Sequence, residues 1–213
     1  MSNAKRRTRE QRREDRRDAL KAAAIEVFSE RGYHAAKVSE IVEIVGVAQG
    51  TFYLYYESKQ QIFGEVLSDF LTLVVETVAA WEPATLDSRE VLSAELTRVG
   101  MMLTEVLLEN QQLAAIFFRE ALAVAPEFDA MIHEFYDTLG AMLTDFNRIL
   151  HERGLVADMN FRLLAYSTIG MVERIIMEYI VSKSLGEVTP DEVVDHLVTH
   201  FMSGTTEPAD EGD

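Results

Sequence analysis

Residues 32–63 read GYHAAKVSEIVEIVGVAQGTFYLYYESKQQIF, and this stretch decides the fold. Apolar residues recur in it at the i, i+3, i+4 and i+7 positions of one α-helical face, namely Val38, Ile41, Val42 and Val45. Gly46 then predicts a tight turn, in which the apolar side chain of Val47 packs inward. The stretch as a whole predicts a helix, a turn, a very short helix and the start of a long helix.

The very short helix is the unusual element of this stretch. Residues 49–55 span only about two turns, which is too few for a helix to be stable alone. Thr51, Tyr53 and Tyr55 give it polar groups that a buried core does not need. A short helix that a packed neighbour holds, with donors on its outer face, is how a helix-turn-helix motif reads the DNA major groove.

From Leu20 to about Phe70 the chain resembles the N-terminal domain of the TetR family of bacterial transcriptional regulators. The residues that carry the resemblance, in fixed order, are Phe28, Gly32, Tyr33, Val38, Ile41, Gly46, Val47, Gly50, Thr51, Phe52, Tyr53, Tyr55, Tyr56, Ser58 and Lys59. The chain departs from the family pattern at three positions. The family usually has Thr or Ser at the position of Lys37, Ser at that of Ala48 and Phe at that of Tyr56. Ala48 is a poor N-cap, which costs about 0.5–2 kcal/mol of helix stability.

The resemblance and the helical patterns together predict an all-α fold of about nine helices. We expect a helix-turn-helix DNA-binding domain with a basic N-terminal arm over residues 1–57 and a helical ligand-binding and dimerisation domain over residues 58–203. The predicted helices span about 9–31, the helix-turn-helix, 59–81, a segment from 88, 112–124, 126 or 127 to 153, 161–184, and 190–202. We expect the small, acidic residues of segment 204–213 to form a disordered tail.

The composition narrows the classes of protein. The chain has no Cys, which excludes disulfides and thiolate zinc sites, and 48% of its residues are hydrophobic, which is enough for one or two real cores. No uninterrupted apolar run approaches 18 residues, so no membrane span is predicted. The polar, basic start does not resemble a secretory signal, and we therefore expect a cytoplasmic protein.

Charge is distributed unevenly along the chain. The net charge is −16, but residues 1–60 carry 12 Lys or Arg against 9 Asp or Glu, and residues 61–213 carry 8 against 27. Eight of the basic residues fall within residues 5–17, including Arg12 and Arg13. Such a segment can neutralise DNA phosphates and release counterions, although a charge run alone is more often a solvated tail. Beside a helix-turn-helix, we favour DNA contact.

The predicted DNA-binding residues are Arg12, Arg13, Lys37, Ser39, Gln49, Gly50, Thr51, Tyr53, Tyr55 and Lys59. Lys37 and Ser39 are expected at phosphates on one flank, and Lys59, at a helix N-terminus, at the other. The family resemblance implies that Tyr53 contacts a phosphate, while Gln49, Thr51 and Tyr55 face the groove. Phe52 and Tyr56, at i and i+4, should instead pack inward.

The last two helices suggest a dimer interface. Segment 161–184 is apolar around most of its circumference, so it must be covered on more than one face. Two copies that pack their last two helices as a four-helix bundle would cover it, as the resemblance implies. The predicted interface residues are Ile176, Tyr179, Val194, Leu197 and Phe201. A buried core helix within one chain remains the alternative.

A pocket for a small molecule is predicted in the C-terminal domain. Its candidate residues are Met101, Met102, Phe117, Phe118, Glu120, Phe135, Met142, Tyr166, Met171, Glu173 and Met177. Seven of the nine Met fall between residues 101 and 177, and flexible Met with aromatics lines adaptable cavities. Simple core filling is the alternative for each, and for Glu120 and Glu173 the alternative is structural pairing with Arg119 or Arg174. The expected effector is mostly hydrophobic, with a cationic group as an open possibility.

Catalysis and metal binding have little support. No Ser-His-Asp order, phosphate-binding loop or carboxylate pair stands out. His196 and His200 have metal-ligand spacing but no evident third ligand, so no metal or cofactor is expected. We therefore interpret the chain as a homodimeric repressor, with an operator and a small-molecule effector as partners and no membrane. The alternatives are an all-α scaffold with a vestigial helix-turn-helix and, more distantly, a helical enzyme.

Overall fold

The computed structural model describes residues 2–81, 86–121 and 128–206, and for residues 2–9 and 120–121 it describes the backbone alone. This part of the chain contains nine α-helices and no strand, as predicted. The helices are α1 Ser2–Ala35, α2 Val38–Val45, α3 Gln49–Phe52, α4 Lys59–Ala79, α5 Arg89–Glu109, α6 Gln111–Ile116, α7 Asp129–Glu152, α8 Phe161–Ile176 and α9 Pro190–Gly204. Single π-helical turns continue α6 over Phe117–Ala121 and α8 over Met177–Val181.

Local capping residues set several helix starts. Ser88 Oγ accepts from the Val91 amide at 3.2 Å at the start of α5, and Ser58 Oγ accepts from Gln61 at 3.1 Å at the start of α4. Thr189 and Glu192 form a capping box ahead of α9. Each bond satisfies an amide that the helix itself leaves without an acceptor.

Helix α1 is longer than predicted at both ends. It begins at Ser2 instead of about Arg9, so the basic segment continues the helix and is not a separate arm. Gly32, which follows the predicted helix end at about residue 31, does break the helical geometry, with φ 74° and ψ 162°. This combination is essentially confined to glycine, and a further helical turn follows it to Ala35.

The first of two compact units comprises Met1–Phe70 and Gln112–Phe128. Its centre is a cluster of aromatic rings: Phe63 packs on Phe28, Tyr33 and Phe128, with ring centroids 5.1, 4.5 and 4.9 Å away. Phe117 packs on Phe70 at 6.0 Å. The unit therefore extends beyond the predicted 1–57 domain, because rings from two distant segments complete its core.

The second unit comprises Leu71–Gln111 and Asp129–Asp213. Here α7 lies along α8 and α5 along α9. Gly100 allows the α5–α9 approach, because a Cβ there would lie 2.9 Å from a methyl of Val194. Gly140 likewise leaves room on α7 for the ring of Tyr166.

Two predicted boundaries in the second unit were wrong. The helix expected over 161–184 ends as α8 at Ile176, with a π-helical turn to Val181. The tail does not begin at Gly204, which is the last residue of α9, and Thr205 is buried with its carbonyl bonded to the Ala157 amide at 3.0 Å. The rest of the predicted tail, residues 207–213, lies outside the described residues, as do the predicted helix end and start within 122–127. No helix of the described part is long and apolar enough to cross a bilayer.

Candidate nucleic-acid interface

The turn between α2 and α3 has the predicted geometry. Gly46 takes the left-handed conformation, with φ 70° and ψ 39°, and its amide donates to the carbonyls of Val42 and Glu43. The Val47 amide donates to Val42 at 3.0 Å. These bonds close α2 and turn the chain sharply into α3, as a helix-turn-helix requires.

Helix α3 covers four residues, not the seven predicted, and turns follow it. Phe52 and Tyr56 are buried, which confirms that they pack inward. Gln49, Gly50 and Tyr53 are exposed on the unit's surface, with Thr51 and Tyr55 half-buried. No side chain caps α3 at Ala48. The stability of so short a helix therefore depends on the packing of Phe52 and Tyr56 beneath it.

The start of α2 presents the second set of predicted contacts. Lys37 and Ser39 are both exposed. The Lys37 amide donates to Glu40 Oε2 at 2.9 Å, which secures the helix start. Both side chains are therefore accessible to a phosphate.

Lys59 has a different environment from the other predicted phosphate contacts. Its ammonium donates to the carbonyls of Tyr33, His34 and Ala36 at 2.5, 3.2 and 2.9 Å. It also lies 4.7 Å from the centre of the Tyr33 ring. Burial lowers the pKa of the Lys59 ammonium. Three carbonyls use all three donors of an ammonium, so this side chain closes the end of α1, and its phosphate contact stays a prediction.

The basic residues of α1 lie beside α2. Arg12 and Arg13 are exposed. Arg12 and Arg16 line an open groove whose other wall includes Ile44 and Val45 of α2. Positive charge on α1 is thus carried next to the helix-turn-helix, where it can reach the DNA backbone.

An ion-pair network between α1 and α4 was not predicted. Arg17 Nε donates to Glu65 at 3.1 Å, and Lys21 pairs with Asp69 at 2.6 Å and with Glu65 at 3.3 Å. The Arg17 guanidinium lies 4.9 Å from the centre of the buried Tyr56 ring. The i, i+4 spacing on both helices was a visible signal, but only the fold brings the two helices together.

We expect Glu65→Gln to lower the free energy of unfolding by about 1 kcal/mol at neutral pH, since the partners are partly exposed. The hydrogen bond from Arg17 lowers the pKa of the Glu65 carboxyl. A carboxyl with a depressed folded-state pKa stabilises above its unfolded pKa and loses this contribution as pH falls through the folded value. Urea unfolding at neutral and acidic pH should therefore show a difference that shrinks in acid. Glu76→Gln, on the exposed face of the same helix, is the control, and an equal loss there would contradict the assignment.

The predicted ligand residues are divided between the two units. Phe117, Phe118 and Glu120 belong to the first, and the remainder to the second. Phe117 and Phe135 are buried, Tyr166 is exposed, and the side chain of Glu120 lies outside the described residues. Met101, Met102, Met142, Met171 and Met177 are all half-buried.

Glu173 has a specific partner in the second unit. The Tyr136 hydroxyl on α7 donates to Glu173 Oε2 on α8 at 3.0 Å, in a partly buried setting. Burial and the adjacent carboxylate raise the pKa of Tyr136. Arg174, the alternative partner considered above, pairs with Glu178. A carboxylate and a phenol therefore meet between α7 and α8.

Three of the predicted dimer-interface residues are already buried within the single chain. Ile176, Val194 and Phe201 are only 2, 2 and 8% exposed in the single chain. Their side chains already pack against their own chain, so a second copy has almost no surface there to cover. The periodicity showed that these residues are buried but not by what. Tyr179 and Leu197 are half-buried and stay candidates.

His196 and His200 stack on the exposed face of α9, with ring centroids 6.5 Å apart. Among the described residues, no group of three or more His, Cys, Asp or Glu side chains is arranged to hold a metal ion. The pair remains a surface feature of α9.

A helix-turn-helix with an exposed short helix and adjacent basic residues, joined to a further helical unit, defines a two-part DNA-binding regulator. Comparison with known families agrees. Residues 20–66 match the bacterial regulatory proteins of the tetR family, and residues 92–205 match the tetracyclin repressor-like C-terminal domain. The chain belongs to the TetR family and is a DNA-binding transcriptional regulator.

Individual relatives show where the similarity lies. The uncharacterized HTH-type transcriptional regulator YdgC of Bacillus subtilis is 58% identical over 57 residues, which is 27% of this chain and 29% of that protein. The fatty acid metabolism regulator protein of the same organism is 42% identical over 60 residues, 26% and 31% of the two chains. These alignments thus span less than a third of the relatives' length.

The fold extends the similarity over both units. The crystal structure of the transcriptional regulator FadR from Bacillus subtilis in complex with stearoyl-CoA superposes with a TM-score of 0.72. The match covers 88% of this chain and 98% of that one, at 20% identity. At this identity the likeness concerns the fold.

Proposed function

We propose that the protein is a homodimeric repressor that binds a near-palindromic operator and leaves it when a small, mostly hydrophobic effector binds. The observation that carries the DNA-binding part is the surface of α3. Gln49, Gly50 and Tyr53 are exposed, while Phe52 beneath them is fully buried and fixes their position. A rigid support with exposed polar groups is what base readout needs.

The exposed side of α8 supports the homodimer. Leu163 is 65% exposed, and Tyr166 is exposed beside it. Ser167 and Gly170 on the same side are small, and no atom lies within 4 Å of a Cβ built at Gly170. Such a surface lets the helix of a second copy approach closely and cover the apolar residues. Two-fold symmetry would then present two copies of α3 to successive major grooves.

The effector is expected in the second unit, near the Tyr136–Glu173 pair. Half-buried Met side chains on α5, α7 and α8 provide deformable apolar surface. The relatives named for fatty acid metabolism and for stearoyl-CoA favour a long acyl chain as the apolar part. The Glu173 carboxylate and the charge balance of −19 for residues 61–213 favour a cationic group instead. Stearoyl-CoA and a long-chain quaternary amine are probes that separate the two.

Glu173→Gln should weaken binding of the long-chain quaternary amine by more than about fivefold, because a partly buried carboxylate paired to a cation contributes more than about 1 kcal/mol. Binding of stearoyl-CoA should be unchanged. Calorimetric titration measures both, with Tyr136→Phe as the control that keeps the carboxylate. Equal affinity of the amine for the Gln variant and the wild type would remove the case for a cationic effector.

Selection from random duplex DNA, followed by gel shifts, tests the function itself. We expect a near-palindromic site whose affinity falls steeply with salt, and a lower affinity in the presence of an effector probe. Arg12→Ala with Arg13→Ala should flatten the salt dependence by about two units in logarithmic slope if both contact phosphates. Failure to select any preferred sequence would favour a scaffold with a vestigial helix-turn-helix. Tighter DNA binding with effector would instead indicate effector-dependent binding and contradict release.

A further inference from the structure

We propose that Leu54, together with the bare backbone at Gly50, recognises the C5-methyl group of a thymine in each half of the operator. This inference rests on the proposed function and names a specificity-determining residue that the motif comparison did not single out. Leu54 is 73% exposed, more than Leu163 on α8 at 65%. A large apolar side chain so open to water, at the tip of a DNA-reading element, calls for an apolar partner.

The winding of the chain sets the direction of Leu54. The Leu54 amide donates to Thr51 at 3.2 Å, and the amides of Tyr55 and Tyr56 donate to Phe52 at 2.9 and 3.0 Å. The helical course therefore continues past the end of α3. Two of these bonds join residues i and i−3, so the rotation is about 100–120° per residue and position 54 lies about 200–240° from Phe52 and from Tyr56. Because those two rings are buried, Leu54 points away from the core.

Gly50 lies one turn before Leu54, at i and i+4, on the same outward side. A Cβ built at Gly50 meets no atom within 4 Å, so the space there is open. The absent side chain leaves the flank of Leu54 uncovered and lets a base-pair edge approach the backbone. Leu54 and Gly50 thus form an exposed apolar patch on the surface that is proposed to face the major groove.

The chemistry of the major groove selects the partner. Among the four bases only thymine presents a methyl group there, and apolar side chains recognise thymine through that methyl. The exposed amide of Gln49 lies at the start of the same element, and a glutamine amide matches the N6 and N7 edge of adenine. The element is accordingly suited to A·T pairs, with the methyl contact made by Leu54.

Uracil is the direct probe, because it differs from thymine at this edge only by the methyl group. In the selected operator, each thymine is replaced singly by uracil, symmetrically in both half-sites. For wild type we expect one position at which the substitution weakens binding about tenfold over the two half-sites, as burial of two methyl groups implies. Leu54→Ala should bind the thymine operator more weakly, and uracil at that position should then cost less than about twofold. Leu185→Ala, an exposed leucine of the second unit, is the control and should keep the full uracil penalty.

The outcomes separate the role of Leu54 from the proposed function. A selected operator that tolerates uracil at every position in wild type would overturn the role of Leu54, while leaving the proposed function intact. A uracil penalty that survives in Leu54→Ala would also overturn it, since another side chain would then contact the methyl. The salt dependence of Leu54→Ala should match wild type, which shows that the variant still docks on the phosphates. If no operator is selected, the proposed function fails and this inference fails with it.

Discussion

Lys59→Met should lower the free energy of unfolding of the first unit by about 1–3 kcal/mol. The variant keeps most of the side chain's length but removes the donor to three carbonyls at the end of α1. Two of those bonds, to Tyr33 and Ala36, are partly buried, so water replaces the ammonium poorly. Loss of the positive charge also removes a favourable interaction with the C-terminal end of the helix. DNA affinity should fall as well, because the end of α1 that Lys59 holds leads directly into α2.

Lys37→Met is the matched control for this experiment. It removes the same charge from an exposed side chain two residues after Ala35, the last residue of α1. We expect Lys37→Met to leave urea unfolding nearly unchanged and to reduce the logarithmic salt slope of DNA binding by about 0.9, as one phosphate contact does. If Lys59→Met instead leaves stability unchanged and reduces the salt slope by the same amount, Lys59 is a phosphate contact and its position at the carbonyls is incidental.

The helix-turn-helix was predictable because its determinants are local. Gly46 and the buried pair Phe52 and Tyr56 each act within one or two helical turns. Spacing alone therefore indicates their roles. The same reasoning predicted that Ala48 would provide no side-chain cap.

Interactions between distant segments were not predictable in this way. Phe128 completes the aromatic cluster of the first unit, although it lies 65 positions after its neighbour Phe63. Lys59 bonds carbonyls 23 to 26 positions earlier. Sequence spacing gives the helix face of each residue but not which other helix will face it. The motif assigned Lys59 to the phosphates, and only the fold reveals the competing partners.

The proposed dimer face shows a related limit. Segment 161–184 is apolar around most of its circumference, so periodicity cannot tell the side that faces its own chain from the side left for a partner. In the structure Ile176 is buried, whereas Leu163, Tyr166 and Gly170 are exposed. Helices α7 and α9 pack alongside α8 and cover part of its apolar surface.

Ile176→Asp and Leu163→Asp should therefore have opposite consequences. Ile176→Asp places a carboxylate where almost no water reaches, and we expect it to cost several kcal/mol of folding stability. Much of the variant should be unfolded or aggregated. Leu163→Asp changes a side chain that is 65% exposed, so the folded chain should keep nearly its full stability while its dimer dissociates.

Light scattering and circular dichroism on the two variants measure these effects separately. The expected pattern is a helical monomer with Leu163→Asp and a loss of cooperative melting with Ile176→Asp. DNA binding should fall steeply in the monomer, because each half-site is then bound without its neighbour and the gain from linking two reading units is lost. Leu185→Asp, which is exposed outside α8 and α9, should remain a dimer that binds DNA like wild type. A stable dimer of unchanged affinity with Leu163→Asp would place the two-fold contact on another surface, even if the chain acts on DNA as a dimer.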